Sequence, residues 1–410
     1  MVRPAQDLAQ ERSRAGVLRI VGLYGPIART TLAERLGVSP ATITVVTREL
    51  LDLGLIQTVG KRPSQGGRPA ELLELVSDSA FLMGAKVTAD RVIAITTDLG
   101  GHVIGSFDEA FDGRSDQPLD QLEDILRRHT ADGPGNLLGI GLGVPGMVDP
   151  FDGGRVFAPS LGWDGVRVGA ELGLRLGMPV IVENDVHTLA VAERLYGPGS
   201  KVEDFITVTL GRGVGLGIVI GGELHSGARG GAGEIGHVPV MADGPICECG
   251  RRGCLEAVAA EPALVQQAVG DRLLDAGATI EDLRAAASAG DTGAVRVFSE
   301  AGAVLGRAVA GVVNLLAPQM VLISGEGVAS WPHLEGSFTK AFRDAILPIH
   351  HQIDVAIDHW DDLDWARGAV SLLVRSIFAP ASNDGTVEKL VRSRLTESAS
   401  AQKLRVADGR

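Results

Sequence analysis

The three cysteines of the 410-residue chain all lie within eight positions, Cys247-Glu248-Cys249-Gly250-Arg251-Arg252-Gly253-Cys254. His237 precedes them in Gly233-Glu234-Ile235-Gly236-His237. Three thiols and an imidazole form a soft four-donor set, the ligand inventory of a closed, tetrahedral structural zinc site, with one ion per chain. Cysteine spent nowhere else but at C-x-C-x4-C is hard to explain as packing. Glu234 and Glu256 lie close by in sequence without an evident ligand role. Residues 237–254 therefore read as a zinc-pinned loop that presents acidic groups to a polar ligand. The alternative is a trio of buried free thiols beside a surface histidine.

Holding such a loop takes a folded body, and the chain is long enough for two or three domains. Glycine is abundant at 55 residues while aromatics make up 4%. That mix suits an α/β protein with many tight strand-to-helix turns rather than a β-sandwich. The N-terminal stretch is polar and charged, with no signal-peptide pattern, and no long apolar run follows, so no membrane partner is expected. With no cysteine to spare for disulfides, the expected compartment is a reducing cytoplasm. The net charge of −13 is unevenly spread. Residues 1–70 hold 10 Lys and Arg against 5 Asp and Glu, and the remainder holds 28 against 46. A basic head on an acidic body is the asymmetry expected when one small domain meets phosphate and the rest does not.

That head, residues 1–78, reads as a winged helix-turn-helix. Val17, Leu18, Ile20, Val21 and Tyr24 give a first amphipathic helix that Gly25-Pro26 stops. Thr30 or Thr31 would cap a second helix through Leu32, Ala33 and Leu36 to Gly37. Ser39-Pro40 opens a third, with serine at the cap and proline at the first helical position. Ile43, Val46, Leu50 and Leu53 would be its buried face, leaving Ser39, Thr42, Thr44, Thr47 and Arg48 for base edges in a major groove. A hairpin follows whose tip carries Lys61, Arg62 and Arg68 among glycines, suited to phosphates or a narrow minor groove. A small protein-interaction domain with a solvated basic loop is the competing reading.

From about residue 80 the texture changes to short β-branched runs alternating with helical segments. Val92–Ile95, Leu138–Val144, Val180–Val182, Phe205–Leu210 and Met320–Ser324 are the expected strands, and 261–317 is an alanine-rich helical stretch. Val144-Pro145-Gly146, Glu183-Asn184-Asp185, Thr209-Leu210-Gly211-Arg212-Gly213-Val214-Gly215, Gly233-Glu234-Ile235-Gly236-His237 and the cysteine cluster ending Cys254-Leu255-Glu256 follow one another in an order that resembles the ROK family of repressors and sugar kinases. With its winged head, the chain is similar to the transcriptional-regulator branch that holds the xylose and N-acetylglucosamine repressors. The resemblance implies a two-lobed, actin-like α/β domain over residues 79–382, and residues 383–410 read as a charged, partly helical or loose tail. It also implies a monosaccharide effector held by Asn184, Asp185, Glu234, His237 and Glu256, with His237 turning one ring nitrogen to sugar and the other to zinc. A homodimer or tetramer on near-palindromic operator DNA is the implied assembly. Ser160 stands where many members carry a sugar-contacting asparagine. Simpler roles exist for three of these residues: a helix cap for Asp185, a solvated loop carboxylate for Glu234, a cap after the loop for Glu256.

In the family's kinases the residue at Asp185 is the general base that deprotonates a sugar hydroxyl. Phosphoryl transfer also needs backbone donors and a metal-holding acid around the triphosphate. The stretch Gly84–Arg91 lacks the family's Asp-x-Gly-Gly-Thr, Arg212 replaces a small hydroxyl residue in the second glycine loop, and Ser324-Gly325-Glu326-Gly327 sets a carboxylate in the third. ATP is therefore not an expected ligand, Asp185 is a vestigial base, and the expected protein is a sugar sensor rather than an enzyme.

Overall fold

The computed structural model of the chain describes residues 14–397 apart from 15, 19, 23, 63–69, 132, 134, 361, 379–386 and 388. The chain divides into two compact units, Met1–Asp185 with Trp365–Arg410, and Val186–Asp364.

The first unit begins with the head. Residues 16–18 and 20–22 are helical, with Val17 and Val21 buried. Tyr24, expected on the apolar face, is instead exposed and lies under the Arg35 guanidinium, 4.0 Å from the ring centre. A short strand that the sequence did not announce, β1 (Ile27–Ala28), pairs with Leu73 and Leu72. It feeds straight into α1 (Arg29–Leu36), so the N-cap is Ala28 with no side-chain bond, and Thr30 and Thr31 lie inside the first turn. Gly37 ends α1 in the left-handed region at φ 63°. Ser39 caps α2 (Pro40–Asp52), its Oγ accepting the Thr42 N–H at 3.1 Å. The wing is β2 (Ile56–Arg62) against β3 (Ala70–Leu75), giving the strand order β1-β3-β2.

Five strands build the sheet of the rest of this unit: β4 (Phe81–Val87), β5 (Arg91–Asp98), β6 (Val103–Ala110), β7 (Leu137–Val144) and, later, β11 (Val180–Asn184), in the order β11-β7-β4-β5-β6. Between β6 and β7 runs α3 (Pro118–Ala131). The hairpins β8 (Met147–Asp149), β9 (Arg155–Ala158) and β10 (Trp163–Arg167) and the helix α4 (Val168–Leu176) precede β11. Leu122, Ile125 and Leu126 of α3 and Val168 and Leu172 of α4 share one core with Ala85, Ile140 and Leu142 of the sheet. The opposite face is covered from far along the chain by α11 (Asp362–Phe378). Helix and sheet touch backbone to backbone there: a Cβ on Gly141 would lie 2.0 Å from the Ala369 carbonyl oxygen, and one on Gly84 2.2 Å from that of Ala366.

Beyond α11, the charged tail is helical over 389–397, in line with its partly helical reading. Val391 and Leu395, one turn apart, are buried, and Arg394 donates to the Gly177 and Leu137 carbonyls at 3.3 Å each. Leu395 and Ile377 line a hollow together with Leu18, Leu50 and Leu55 of the head.

The second unit opens with α5 (Asp185–Leu195), whose first residue is the last of the first unit. Its sheet runs β14-β13-β12-β15-β16, from β12 (Phe205–Leu210), β13 (Val214–Ile220), β14 (Glu223–Leu224), β15 (Met320–Ser324) and β16 (Asp354–Ile357). Every residue of β12 is buried, as a central strand covered on both faces must be. On one face α5 lies close over β13, where Cβ atoms on Gly215 and Gly217 would come within 2.5 and 2.6 Å of Val186 and Ala190. The other face carries α6 (Glu256–Ala259), α7 (Glu261–Gly270), α8 (Ile280–Ser288), α9 (Thr292–Leu316) and α10 (Trp331–Ala345), matching the helical stretch expected over 261–317. By length and composition α9 is apolar enough to cross a membrane, but its Phe298, Leu305 and Val309 are packed against Phe338 and Phe342 of α10 in this core.

Two substitutions test this packing by urea unfolding. Gly141→Val, forced onto the Ala369 carbonyl, should cost at least about 1–3 kcal/mol. Gly311→Ala, in the last third of α9 with open space around it, should stabilise by roughly 0.5–1 kcal/mol.

Candidate metal centre and ligand site

The glycines around the cysteine cluster explain how it closes. Gly233 takes φ 88°, and a Cβ there would lie 1.9 Å from the Leu216 carbonyl oxygen, so residues 233–237 run directly against β13. Gly253 takes φ 68° with its Cα pressed on Met241. Short backbone pairings then draw the ends together: Pro239 opposite Cys254, Ile246 opposite Arg252, and Leu255 N–H to the Val238 carbonyl at 2.9 Å. The result gathers His237, Cys247, Cys249 and Cys254 so that all four donor atoms lie within 4.8 Å of one another. Cys247 Sγ stands 3.6 Å from His237 Nδ1, and Cys249 Sγ 3.7 Å from Cys254 Sγ. Sulfurs on ~2.3 Å arms about a tetrahedral zinc would stand about 3.8 Å apart, so the donor set fits such an ion.

The thiols differ sharply when no cation is beside them. Burial pushes Cys247 up to about 12 and raises Cys254 as well. The exposed Cys249 is pulled down to about 6 by hydrogen bonds from the Arg251 backbone and then its side chain. A cation among them removes the cost of burying two thiolates, which is the physical case for a metal in a buried three-sulfur set. It would brace the loop and carry no reaction.

His237 offers Nδ1 to the sulfurs and turns Nε2 toward Glu234, 3.9 Å from Oε2. Glu256, the first residue of α6, accepts the Val214 N–H on Oε2 at 3.2 Å. That oxygen lies 2.7 Å from where a Cβ on Gly213 would be. Glu234, His237, Glu256 and the three cysteines thus belong to one cluster in the second unit. Asn184 and Asp185 belong to the first unit, at the carboxyl end of β11, where strand ends of α/β folds hold ligands. Asn184 donates from Nδ2 to the Gly146 carbonyl at 2.8 Å, tying the Val144-Pro145-Gly146 turn to β11. Gly146 sits at φ 86° against the Phe157 carbonyl. The same hairpin carries the exposed Ser160, whose carbonyl accepts from Arg114 Nε at 3.0 Å. Asp185 opens α5, where the helix dipole favours a carboxylate.

The glycine loop after β12 is covered by its own chain. A Cβ on Gly211 would fall 2.6 Å from the Glu326 carboxyl, and Gly325 and Gly327 lie within contact of Leu210. In the hairpin of β4 and β5, Lys86 lies over the Trp365 ring at 4.5 Å.

In the head, the outer face of α2 shows Thr44, Arg48 and Val45, the last not foreseen and 57% exposed. Exposed apolar side chains of this kind meet thymine methyls. Ser39 and Thr42 are bound to each other at the cap, Oγ to Oγ1 at 2.8 Å. Thr47 is a correction. It is fully buried, donates to the Ile43 carbonyl at 2.7 Å and accepts Arg29 Nε at 2.9 Å, so it cannot reach DNA. Arg29 also pairs with Glu71 at 2.9 Å, joining α2 to the wing. Lys61 is exposed on β2 and Arg62 ends that strand, while Arg68 lies outside the described residues.

The chain thus carries a winged head, a five-stranded sheet in each of its two units and a Cys3His cluster in the second. The ROK family pattern matches residues 116–375, and the chain belongs to that family. It is 31% identical over 373 residues to the DNA-binding transcriptional dual regulator NagC of Escherichia coli K12, across 85% of this chain and 90% of that protein. The crystal structure of a ROK family transcriptional regulator, a homolog of E. coli MLC, superposes with a TM-score of 0.82 at 27% identity, covering 95% of this chain and all of that one. A ROK glucokinase from Streptomyces griseus, solved with glucose and AMPPNP, matches at 0.62 and 27% identity over 72% of this chain and 99% of its own.

Replacing one donor tests the metal centre. Cys249→Ser, at the exposed position, should leave the purified protein with clearly less bound zinc than wild type by elemental analysis. It should also lower the thermal midpoint.

Proposed function

We propose that the chain is a sugar-responsive transcriptional repressor. The face of α2 and the wing hold operator DNA, and a monosaccharide bound by Asn184, Asp185, Glu234, His237 and Glu256 weakens that hold. One observation carries the reading: the likeness to a ROK transcriptional regulator covers 95% of the chain, a share that includes the head. A zinc ion held by His237, Cys247, Cys249 and Cys254 braces His237 and Glu234 for the sugar, which supplies hydroxyls for directed acceptors and donors. Three thiolates of this kind suit a reducing cytoplasm. Two heads of a homodimer would meet successive major grooves of a near-palindromic operator.

Glu326 supports a sensor over a kinase. Its carboxyl lies against Gly211, where a phosphate would need the loop's backbone. The competing reading, a hexokinase-type enzyme with a DNA-binding head, draws on the retained Asp185 and on the glucokinase likeness.

In a gel shift on the DNA upstream of its own gene, one monosaccharide of a panel should weaken binding by about 5- to 150-fold, the usual range of allosteric coupling. Arg48→Ala should weaken operator binding by about 5- to 150-fold, the cost of a lost base or phosphate contact, with sugar affinity unchanged. No specific shift, or equal loss of both, would contradict this division of labour. Sugar-dependent ADP release above background would establish the kinase instead.

A further inference from the structure

The chain passes between its two units twice, at Asp185/Val186 and at Asp364/Trp365. Within Val186–Asp364, the helix that follows the first passage meets the segment that precedes the second at a buried polar cluster that the sugar-sensing reading does not use. Glu193, two turns into α5, has no exposed surface. Its Oε1 accepts the Trp360 indole N–H at 2.9 Å, and the same N–H reaches Asp358 Oδ2 at 3.2 Å. The two carboxyl groups therefore lie side by side. Glu193 Oε2 packs against Gly197, 1.9 Å from where a Cβ would be, and has no hydrogen-bond partner among the described residues. Asp358 is in turn anchored to the sheet by its N–H, 2.9 Å from the Ile323 carbonyl oxygen.

A fully buried carboxyl group with a second carboxylate beside it is costly to ionise, and this applies to Glu193. The indole supplies a donor to Glu193 Oε1, and a proton on Glu193 gives the buried group a second hydrogen bond, toward Asp358. Few other charges bear on the cluster. Arg194, the neighbour on α5, is turned to the Gly222 and Ser200 carbonyls. The sheet face beneath α5 presents Phe205, Thr207, Leu322 and Ser324, all uncharged. Lys201, Asp354 and His359 are exposed, and Asp362 and Asp364 lie further on, in the first turn of α11.

We propose that Glu193 keeps its proton and donates it to the Asp358 carboxylate beside the Trp360 indole, and that this clasp fixes α5 to the segment entering the second passage. Glu193 is then a positioning residue for Asn184 and Asp185, which lie at the N-terminal end of α5; that part rests on their reading as effector ligands. Burial first, and the Asp358 carboxylate second, push Glu193 up to about 8, against the pull of the indole. The folded protein thus keeps a proton on Glu193 that the unfolded chain releases near its ordinary value of 4.5. Stability from this group is complete below that value, falls as pH rises toward about 8, and is level above it.

Glu193→Gln tests this, because a glutamine amide accepts the indole N–H and donates to Asp358 with no proton to lose. In thermal unfolding of the full-length protein, the variant and wild type should have similar midpoints at pH 5. The variant should gain a growing advantage up to pH 8, with no further growth above it. A difference that does not change with pH overturns the retained proton on Glu193. The second arm uses the monosaccharide that releases the operator. Glu193→Gln should bind it like wild type at pH 7, and Glu193→Ala about 10-fold more weakly with unchanged zinc content, within the range of allosteric couplings. Wild-type affinity in the alanine variant overturns the positioning role. If no sugar releases the operator, the functional reading fails, and the thermal arm still decides the clasp.

Discussion

The backbone contact between α11 and the first sheet is the constraint on which much of that unit depends. Gly84 and Gly141 lie on adjacent strands, and the carbonyls of Ala366 and Ala369 occupy the space that side chains would take. A helix seated that close cannot slide without a clash, and interiors packed to this density transmit displacement rather than absorb it. The strands so held end at Val87, Val144 and Asn184, the positions from which the turn at Gly146 and the residues Asn184 and Asp185 are presented. Past α11 the chain turns back to line, with Ile377 and Leu395, the hollow under Leu18, Leu50 and Leu55 of the head. Head and sheet thus share a helical support made from the last part of the sequence.

The cysteine cluster works on the same principle with different means. Its loop leaves Val238, Met241 and Ile246 exposed, so glycines at positive φ and a few backbone pairings shape it, and its four donors are gathered closely enough for a metal to complete it. The sharp contrast between Cys247 and Cys249 follows from their surroundings: one thiol buried, the other open and beside Arg251. The same loop sets the imidazole of His237 between sulfur on one side and Glu234 on the other.

Much of this was legible in the sequence where chemistry and spacing were local. The gathering of His237 with the three cysteines, the serine cap of α2, the glycine ending α1 and every quoted strand run lie where their residue types put them. What escaped were features decided by residues distant in sequence. Thr47 has the same type and apparent helical face as Thr44, but Arg29 and the neighbouring wing bury it. Tyr24 is apolar by type, but Arg35 gives its ring a partner in solvent. Val391 and Leu395 are a sparse apolar pair in a charged stretch, too weak a period to mark a buried helix. Glu193 looks like any surface glutamate of an amphipathic helix until Asp358 and Trp360, far downstream, are brought beside it. The candidate sugar ligands were legible through motif resemblance alone, since nothing in their spacing separates a sugar ligand from a cap.

The Glu326 carboxyl against Gly211 has a consequence for what the loop after β12 can hold. An anion seated on the Gly211 backbone would meet that carboxyl first, and like charges at contact distance repel. The side chain is thus a built-in occupant of its own glycine loop, and any negatively charged visitor has to displace it before the backbone becomes available.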